Sequence, residues 1–166
     1  MNQRYRNLLM WALYAALFLA VMLLQTVVFG RMRFFGVKLN LLPVIVACIS
    51  LWVGHEAGGF FGLMAGLVWF CTGADDGSLS IVSFTLIGIF AGWLCDSLFP
   101  RQMLPAIGLS LLALAAHTLA LFFLKYYLDG ADISLIGWVP ATTLLSIPAA
   151  PILYLLAKAI RKAGGA

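Results

Sequence analysis

Long apolar stretches, separated by short segments that carry most of the charge, dominate this sequence. An α-helix needs a run of about 20 apolar residues to cross roughly 30 Å of hydrocarbon, and six stretches approach that length. Only 10% of the residues are charged and 64% are hydrophobic, whereas soluble domains are about a quarter charged. These features predict an all-α, polytopic membrane protein with a single bundle of about six transmembrane helices. The predicted helices cover about 7–29, 39–54, 57–72, 79–98, 103–124 and 136–157, within one transmembrane domain over 1–166.

The apolar block over 39–72 decides the number of predicted helices. At 1.5 Å rise per residue this block is too long for one span and just long enough for two. We therefore predict a turn within the segment GHEAGG at 54–59.

Six helices place both termini on the same side of the membrane. With the termini inside, six basic residues lie inside and four lie outside, so the positive-inside rule favours cytoplasmic termini. The inside set is Arg4, Arg6, Arg101, Lys158, Arg161 and Lys162, and the outside set is Arg31, Arg33, Lys38 and Lys125. The first loop, GRMRFFGVK, interleaves basic with apolar and aromatic residues, which suits a segment at the level of the lipid headgroups.

Gly58, Gly62 and Gly66 recur at every fourth position in the stretch GGFFGLMAGLVWF. In the interior of a water-soluble helix each glycine costs roughly 1 kcal/mol relative to alanine. In lipid, helices gain little from hydrophobic association, and small residues at i and i+4 permit the close backbone approach that holds helices together. The spacing therefore predicts a helix-packing face.

Two further pairs of small residues show the same spacing: Gly88 with Gly92, and, more weakly, Ala16 with Ala20. Each of these faces could pack within the bundle or form an interface with another membrane protein. The spacing alone leaves both alternatives open.

Polar side chains inside apolar helices are costly unless they have partners, and they often mark functional sites. Gln25, Asn40 and His117 are the candidates. Asn40 begins the second predicted helix. His117 lies well inside the fifth, where it either bonds to a neighbouring helix or binds a proton or ligand.

Catalysis requires a convergent set of groups, such as a nucleophile with a base, paired carboxylates or metal ligands. The sequence offers no such set, and its three cysteines are isolated from one another and from histidine. We therefore predict a non-enzymatic protein without catalytic residues, cofactor or metal. The net charge of +4 is charge at the membrane edge, so the expected surroundings are the lipid bilayer and other membrane proteins, and nucleic acid is not an expected partner.

The order of these features resembles the rod shape-determining protein MreD family over roughly the first 100 residues. The similarity rests on Leu24-Gln25 at the end of the first helix, Leu39-Asn40-Leu41 at the start of the second, and the glycine repeats Gly58/Gly62/Gly66-Leu67 and Gly88/Gly92. The chain departs from the family pattern at Leu39, where proline is usual, and at Phe70, where the family often carries aspartate.

The resemblance implies a multi-pass protein of the bacterial inner (plasma) membrane that belongs to the cell-elongation machinery, the elongasome. Such a protein would bind MreC and help couple the actin-like MreB, indirectly, to the peptidoglycan-synthesising RodA and its class B penicillin-binding protein. The alternative is the substrate-binding S component of an energy-coupling-factor vitamin transporter, which is similar in size and carries an Ala-x-x-x-Ala pair on helix 1. For its ligand pocket, this sequence offers only Lys125, Tyr126, Tyr127 and Trp138.

Overall fold

The computed structural model describes residues 3–29, 39–72, 77–97, 102–128, 130 and 136–165. Within these residues every regular element is a helix, so the predicted all-α class is confirmed. The helices are α1 (Gln3–Leu23), α2 (Leu42–Val53), α3 (His55–Cys71), α4 (Gly77–Ser97), α5 (Met103–Leu121), α6 (Trp138–Ser146) and α7 (Ala149–Gly165). Two π-helical segments, Leu24–Phe29 and Phe122–Tyr127, extend α1 and α5. The predicted headgroup-level loop, Arg101, and the side chains of Lys125 and Tyr126 lie outside the described residues.

Helix α2 forms the centre of the bundle. All ten residues from Leu42 to Leu51 are buried, and α1, α3, α4, α5 and α7 each contact the helix. Its side chains are Leu, Pro, Val, Ile, Ala, Cys and Trp with a single serine, so the helix has no polar face to turn outward. The one serine, Ser50, donates its hydroxyl hydrogen to the Val46 carbonyl at 2.7 Å, which satisfies the only hydroxyl on this helix.

A single residue, Gly54, separates α2 from α3. Its φ of +87° lies in the region that L side chains rarely adopt, which explains glycine here. The Gly54 N–H donates to the Ser50 carbonyl at 3.0 Å, and the Gly54 carbonyl accepts from the Gly58 N–H at 2.8 Å. The turn predicted within 54–59 is therefore confined to its first residue, and the rest of that segment is the first turn of α3.

The sixth predicted helix, 136–157, is two helices in the structure. Helices α6 and α7 are bent by 42° relative to each other. Pro148 lies between them, where it lacks the N–H that a continuous helix needs and crowds the preceding turn. Beyond the bend, α7 continues to Gly165 rather than ending near 157, because alanine, lysine and arginine in its last turns are good helix formers.

Three helices are long and apolar enough to cross a membrane: Arg4–Phe29, Ser78–Ser97 and Met103–Leu124. The bent α6–α7 pair makes a fourth if it forms one span. The 12 residues of α2 reach only about 18 Å, and the 17 residues of α3 reach about 25 Å. The described helices therefore indicate a multi-pass membrane protein, and the count of six spans stays a prediction.

The start of α1 and the end of α7 lie together at one end of the bundle. The Tyr14 hydroxyl donates to the Ala157 carbonyl at 3.3 Å, and the Arg6 Nε donates to the Gly164 carbonyl at 3.5 Å. Contacts between 6 and 164 and between 14 and 157 define an antiparallel pairing of α1 with α7. The start of α1 and the end of α7 therefore share one side.

This pairing predicts that reporters fused before Met1 and after Ala166 report the same cellular compartment. A reporter inserted after Gly130, between α5 and α6, is expected in the opposite compartment, because α6 and α7 return the chain across the bundle. Compartment-specific enzyme fusions measure all three positions. Termini in different compartments would contradict the α1–α7 pairing.

Candidate functional site

The glycines of α3 lie against the backbone of α4. A Cβ added to Gly58 would lie 2.7 Å from the Gly88 carbonyl oxygen, and one added to Gly66 would lie 2.5 Å from the Ile81 Cα. At Gly62 the added atom would lie 2.8 Å from the Phe84 carbonyl carbon. Real Cβ atoms essentially never approach so closely, so each of these positions requires glycine.

The glycines of α4 complete the same contact from the other side. A Cβ on Gly92 would lie 2.5 Å from the Gly54 carbonyl carbon and equally close to the His55 Cα, and a Cβ on Gly88 would overlap the Gly58 carbonyl. Gly66 lies opposite Ile81, and Gly58 lies opposite Gly88, so α3 and α4 run antiparallel with their backbones in contact. The structure thus brings all five predicted glycines into one interface within the chain.

The alanine pair on α1 lies elsewhere. Ala16 and Ala20 are both exposed, whereas Tyr14 and Phe18 face the bundle. The pair of small residues on α1 therefore faces outward and makes no backbone contact like that between α3 and α4.

Gln25 joins the end of the first helix to the start of α2. Its side chain is only 5% exposed; Nε2 donates to the Leu39 carbonyl at 2.6 Å and Oε1 accepts from the Leu41 N–H at 3.0 Å. One amide thereby satisfies a donor and an acceptor just before α2, where a helix start leaves backbone groups without partners. This network lies at the end of the bundle opposite the two chain termini.

Asn40 extends this network to α6. Its side-chain oxygen accepts from the Leu42 N–H at 3.3 Å, and its backbone N–H donates to the Ser146 hydroxyl at 3.0 Å. Ser146 is fully buried at the last residue of α6. Sequence reasoning missed this serine, because a lone hydroxyl in an apolar helix gives no signal of its partner.

His117 lies between α5 and α4 and is only 1% exposed. Its Nδ1 is 2.8 Å from the Ser83 hydroxyl, with which it shares a hydrogen bond, and its ring packs on Phe84 at a centroid distance of 5.0 Å. The histidine on α5 therefore bonds to a residue of the neighbouring helix α4, which is the first of the two alternatives given for it. Ser83 was also missed in the sequence.

A crevice of about 250 Å³ opens between α4 and α5 beside this pair. Its walls are almost entirely apolar, and Ser83 and His117 supply the polar atoms. The lining residues are Ser83, Leu86, Ile87, Phe90, Ala91, Leu109, Leu112, Ala113, Ala116, His117 and Ala120.

One further pair of ionisable side chains lies close together, away from this crevice. His55 Nδ1 lies 3.5 Å from an Asp96 carboxylate oxygen where the α2–α3 turn meets the end of α4, and both side chains are partly exposed. Across the described parts of the chain, no three His, Cys, Asp or Glu residues gather closely enough to hold a metal ion.

Comparisons with known protein families, with curated proteins and with solved structures return no match for this chain.

The backbone contact predicts that Gly62→Leu destabilises the protein while Gly108→Leu does not. Gly62 faces the α4 backbone, whereas Gly108 on α5 has nothing within 4 Å of an added Cβ. Overpacking costs typically 1–3 kcal/mol, and here the obstacle is backbone that cannot change rotamer. Thermal unfolding in detergent measures the difference. Equal unfolding temperatures for the two variants would contradict the contact.

The Gln25 network predicts that Gln25→Ala lowers stability by roughly 1–3 kcal/mol for each backbone group left buried without a partner. Gln102→Ala is the matched control, because Gln102 is exposed and makes no side-chain cap bond at the start of α5. Denaturation of both variants in the same detergent gives the comparison. A Gln25→Ala protein as stable as the control would show that the network contributes nothing.

Proposed function

We propose that this protein is a non-enzymatic scaffold of the bacterial cell-elongation machinery and a member of the MreD family. In this role it lies in the inner membrane, binds MreC, and links MreB indirectly to RodA and its class B penicillin-binding protein. The observation that carries the proposal is that most residues responsible for the resemblance take part either in the α3–α4 backbone contact or in the hydrogen bonds at the start of α2.

Each motif of the resemblance has a physical role in the structure. Gln25 forms hydrogen bonds with the backbone on both sides of Asn40. Asn40 forms hydrogen bonds with the first residue of α2 and the last residue of α6. The glycine repeats of α3 and α4 form the backbone contact. Motifs with such roles are expected to persist among proteins that share a fold, which supports reading them as family features.

The glycine faces are covered by one another, so a partner such as MreC would bind elsewhere on the bundle. The outward residues of α1 are available for this purpose, since Leu8, Leu19 and Leu23 are more than half exposed. A bundle that offers apolar helix faces to neighbouring helices fits a scaffold. In this proposal both termini are cytoplasmic, on the side where MreB lies.

The S component of a vitamin transporter is the second candidate function. The observation that favours it is the exposure of Ala16 and Ala20, because an outward pair of small residues permits close approach by a helix of another protein. The crevice between α4 and α5 offers a vitamin little recognition, because only Ser83 and His117 line it with polar atoms.

The scaffold function predicts that depletion of this protein makes rod-shaped cells round and that the purified protein retains an MreC-like partner. Wild-type protein and the Gly108→Leu variant are expected to restore the rod shape, whereas Gly62→Leu is expected to fail because the α3–α4 contact is lost. Microscopy of complemented cells and co-purification from membranes provide the measurements.

The vitamin-transport alternative makes the opposite prediction. Native mass spectrometry would show a retained vitamin, and the protein would restore vitamin uptake together with an energy-coupling module. Either result, with cell shape unaffected by depletion, would replace the scaffold proposal. Neighbouring genes offer an inexpensive first check, since genes for an MreC-like protein or for a transporter ATPase favour different answers.

A further inference from the structure

Basic side chains from the first turns of α1 and the last turns of α7 gather at one end of the bundle. Arg6 reaches from α1 to the Gly164 carbonyl, and Arg161 reaches back from α7, with Nη1 3.4 Å from the Met10 sulfur. Both arginines are half-buried in the seam between the two helices. We call this end of the bundle, formed by Arg4, Arg6, Lys158, Arg161 and Lys162, the basic end.

Most of this charge has no carboxylate partner within the described residues. Lys158, Arg161 and Lys162 follow one another at i, i+3 and i+4, so they share one face of α7. Arg4, Lys158 and Lys162 are exposed, and none of the three forms an ion pair with a described acidic residue. The described acidic residues are Glu56 and Asp96, and Asp96 lies against His55.

The helix dipoles stabilise only some of the positive charges at the basic end. A helix C-terminus carries partial negative charge, which stabilises Arg161 and Lys162 near the end of α7. The N-terminus of α1 carries partial positive charge and favours acidic residues, yet its first turn contains no acidic residue and Arg4 lies there. The partial positive charge at the start of α1 therefore adds to the charges of the basic side chains around it, and an external anion would lower this repulsion.

Apolar side chains continue from the basic end toward the middle of the bundle. On α1, Leu8 is 67% exposed and Leu9 is 44% exposed; on α7, Ile152 is 62% exposed and Leu155 is 54% exposed. Tyr5, next to Arg4, is 68% exposed, and tyrosine is one of the residue types enriched at membrane–water interfaces. Along each of the two helices, exposed apolar residues thus follow the basic residues one or more turns deeper, which matches a phospholipid with an anionic headgroup.

We propose that the basic end binds an anionic phospholipid. The headgroup phosphate lies against Lys158 and Lys162, which are one turn apart on α7, and the acyl chains extend along the exposed apolar side chains of α7 and α1. The apolar continuation distinguishes this ligand from a free anion, which would use the charges alone. The inference is independent of the proposed scaffold function, because it needs only that the helices lie in a membrane.

The test compares phosphatidylglycerol with phosphatidylcholine of identical acyl chains, added to the purified full-length protein in detergent. Native mass spectrometry measures lipid binding, and thermal unfolding measures stabilisation. We expect phosphatidylglycerol to bind more tightly and to raise the unfolding temperature. The Lys158→Gln/Lys162→Gln variant is expected to lose about fivefold in affinity for each charge removed, as follows from about 1 kcal/mol per basic residue near an anionic surface.

Matched variants separate charge from folding. Lys158 and Lys162 are exposed, so without lipid the double variant is expected to unfold at the wild-type temperature. The Lys158→Arg/Lys162→Arg variant is expected to keep wild-type affinity, and Lys125→Gln, a charge removal beyond the opposite end of α5, is expected to leave binding unchanged.

Three results would overturn the proposal. The first is equal binding of the two lipids, and the second is equal phosphatidylglycerol binding by wild type and the double glutamine variant. The third is full competition by inorganic phosphate or by a polyglutamate peptide, which would assign the site to a free anion or to an acidic protein segment.

Discussion

The contact between the backbones of α3 and α4 sets the geometry of the bundle. Because Gly58, Gly62 and Gly66 meet Gly88, Phe84 and Ile81 without intervening side chains, the two helices lie close along most of their length. Water contributes nothing to helix association inside a bilayer, so dispersion forces between closely approaching atoms must hold such helices together. The same pair of helices also packs against α2, whose ten buried residues lie at the centre of the core.

The glycine interface could be anticipated from sequence because its signal is periodic. Three glycines at intervals of four in an apolar helix predict a close backbone contact, and the structure shows that the contact is made within the chain. Ala16 and Ala20 have the same interval but face outward. The sequence does not reveal this difference, because residues that face lipid and residues that face another helix are equally apolar. Hydropathy therefore cannot decide which side of a membrane helix is covered, whereas glycine, which has no side chain to offer lipid, is more informative.

Other features depend on contacts between distant parts of the chain. The partners of Gln25 lie 14 and 16 residues away, and Ser146 lies 106 residues from Asn40, so nothing in the local sequence reveals either pairing. The bend between α6 and α7 carried a local signal in Pro148, but prolines are common in membrane helices, and the apolar run continues through this one. The short length of α2 was hidden because its neighbours in sequence are also apolar.

The complete burial of α2 has a consequence for the order in which the protein is assembled. Cys48 on α2 contacts Ser110 on α5 and the Ala150 carbonyl on α7, and these residues are synthesised much later than α2. A helix of about 18 Å is shorter than the hydrocarbon core of the bilayer, which is about 30 Å thick. Before α5 and α7 are synthesised, the α2–α3 hairpin therefore lacks the neighbours that bury it in the native structure. The native core is complete only once α7, the last of the described helices, covers it.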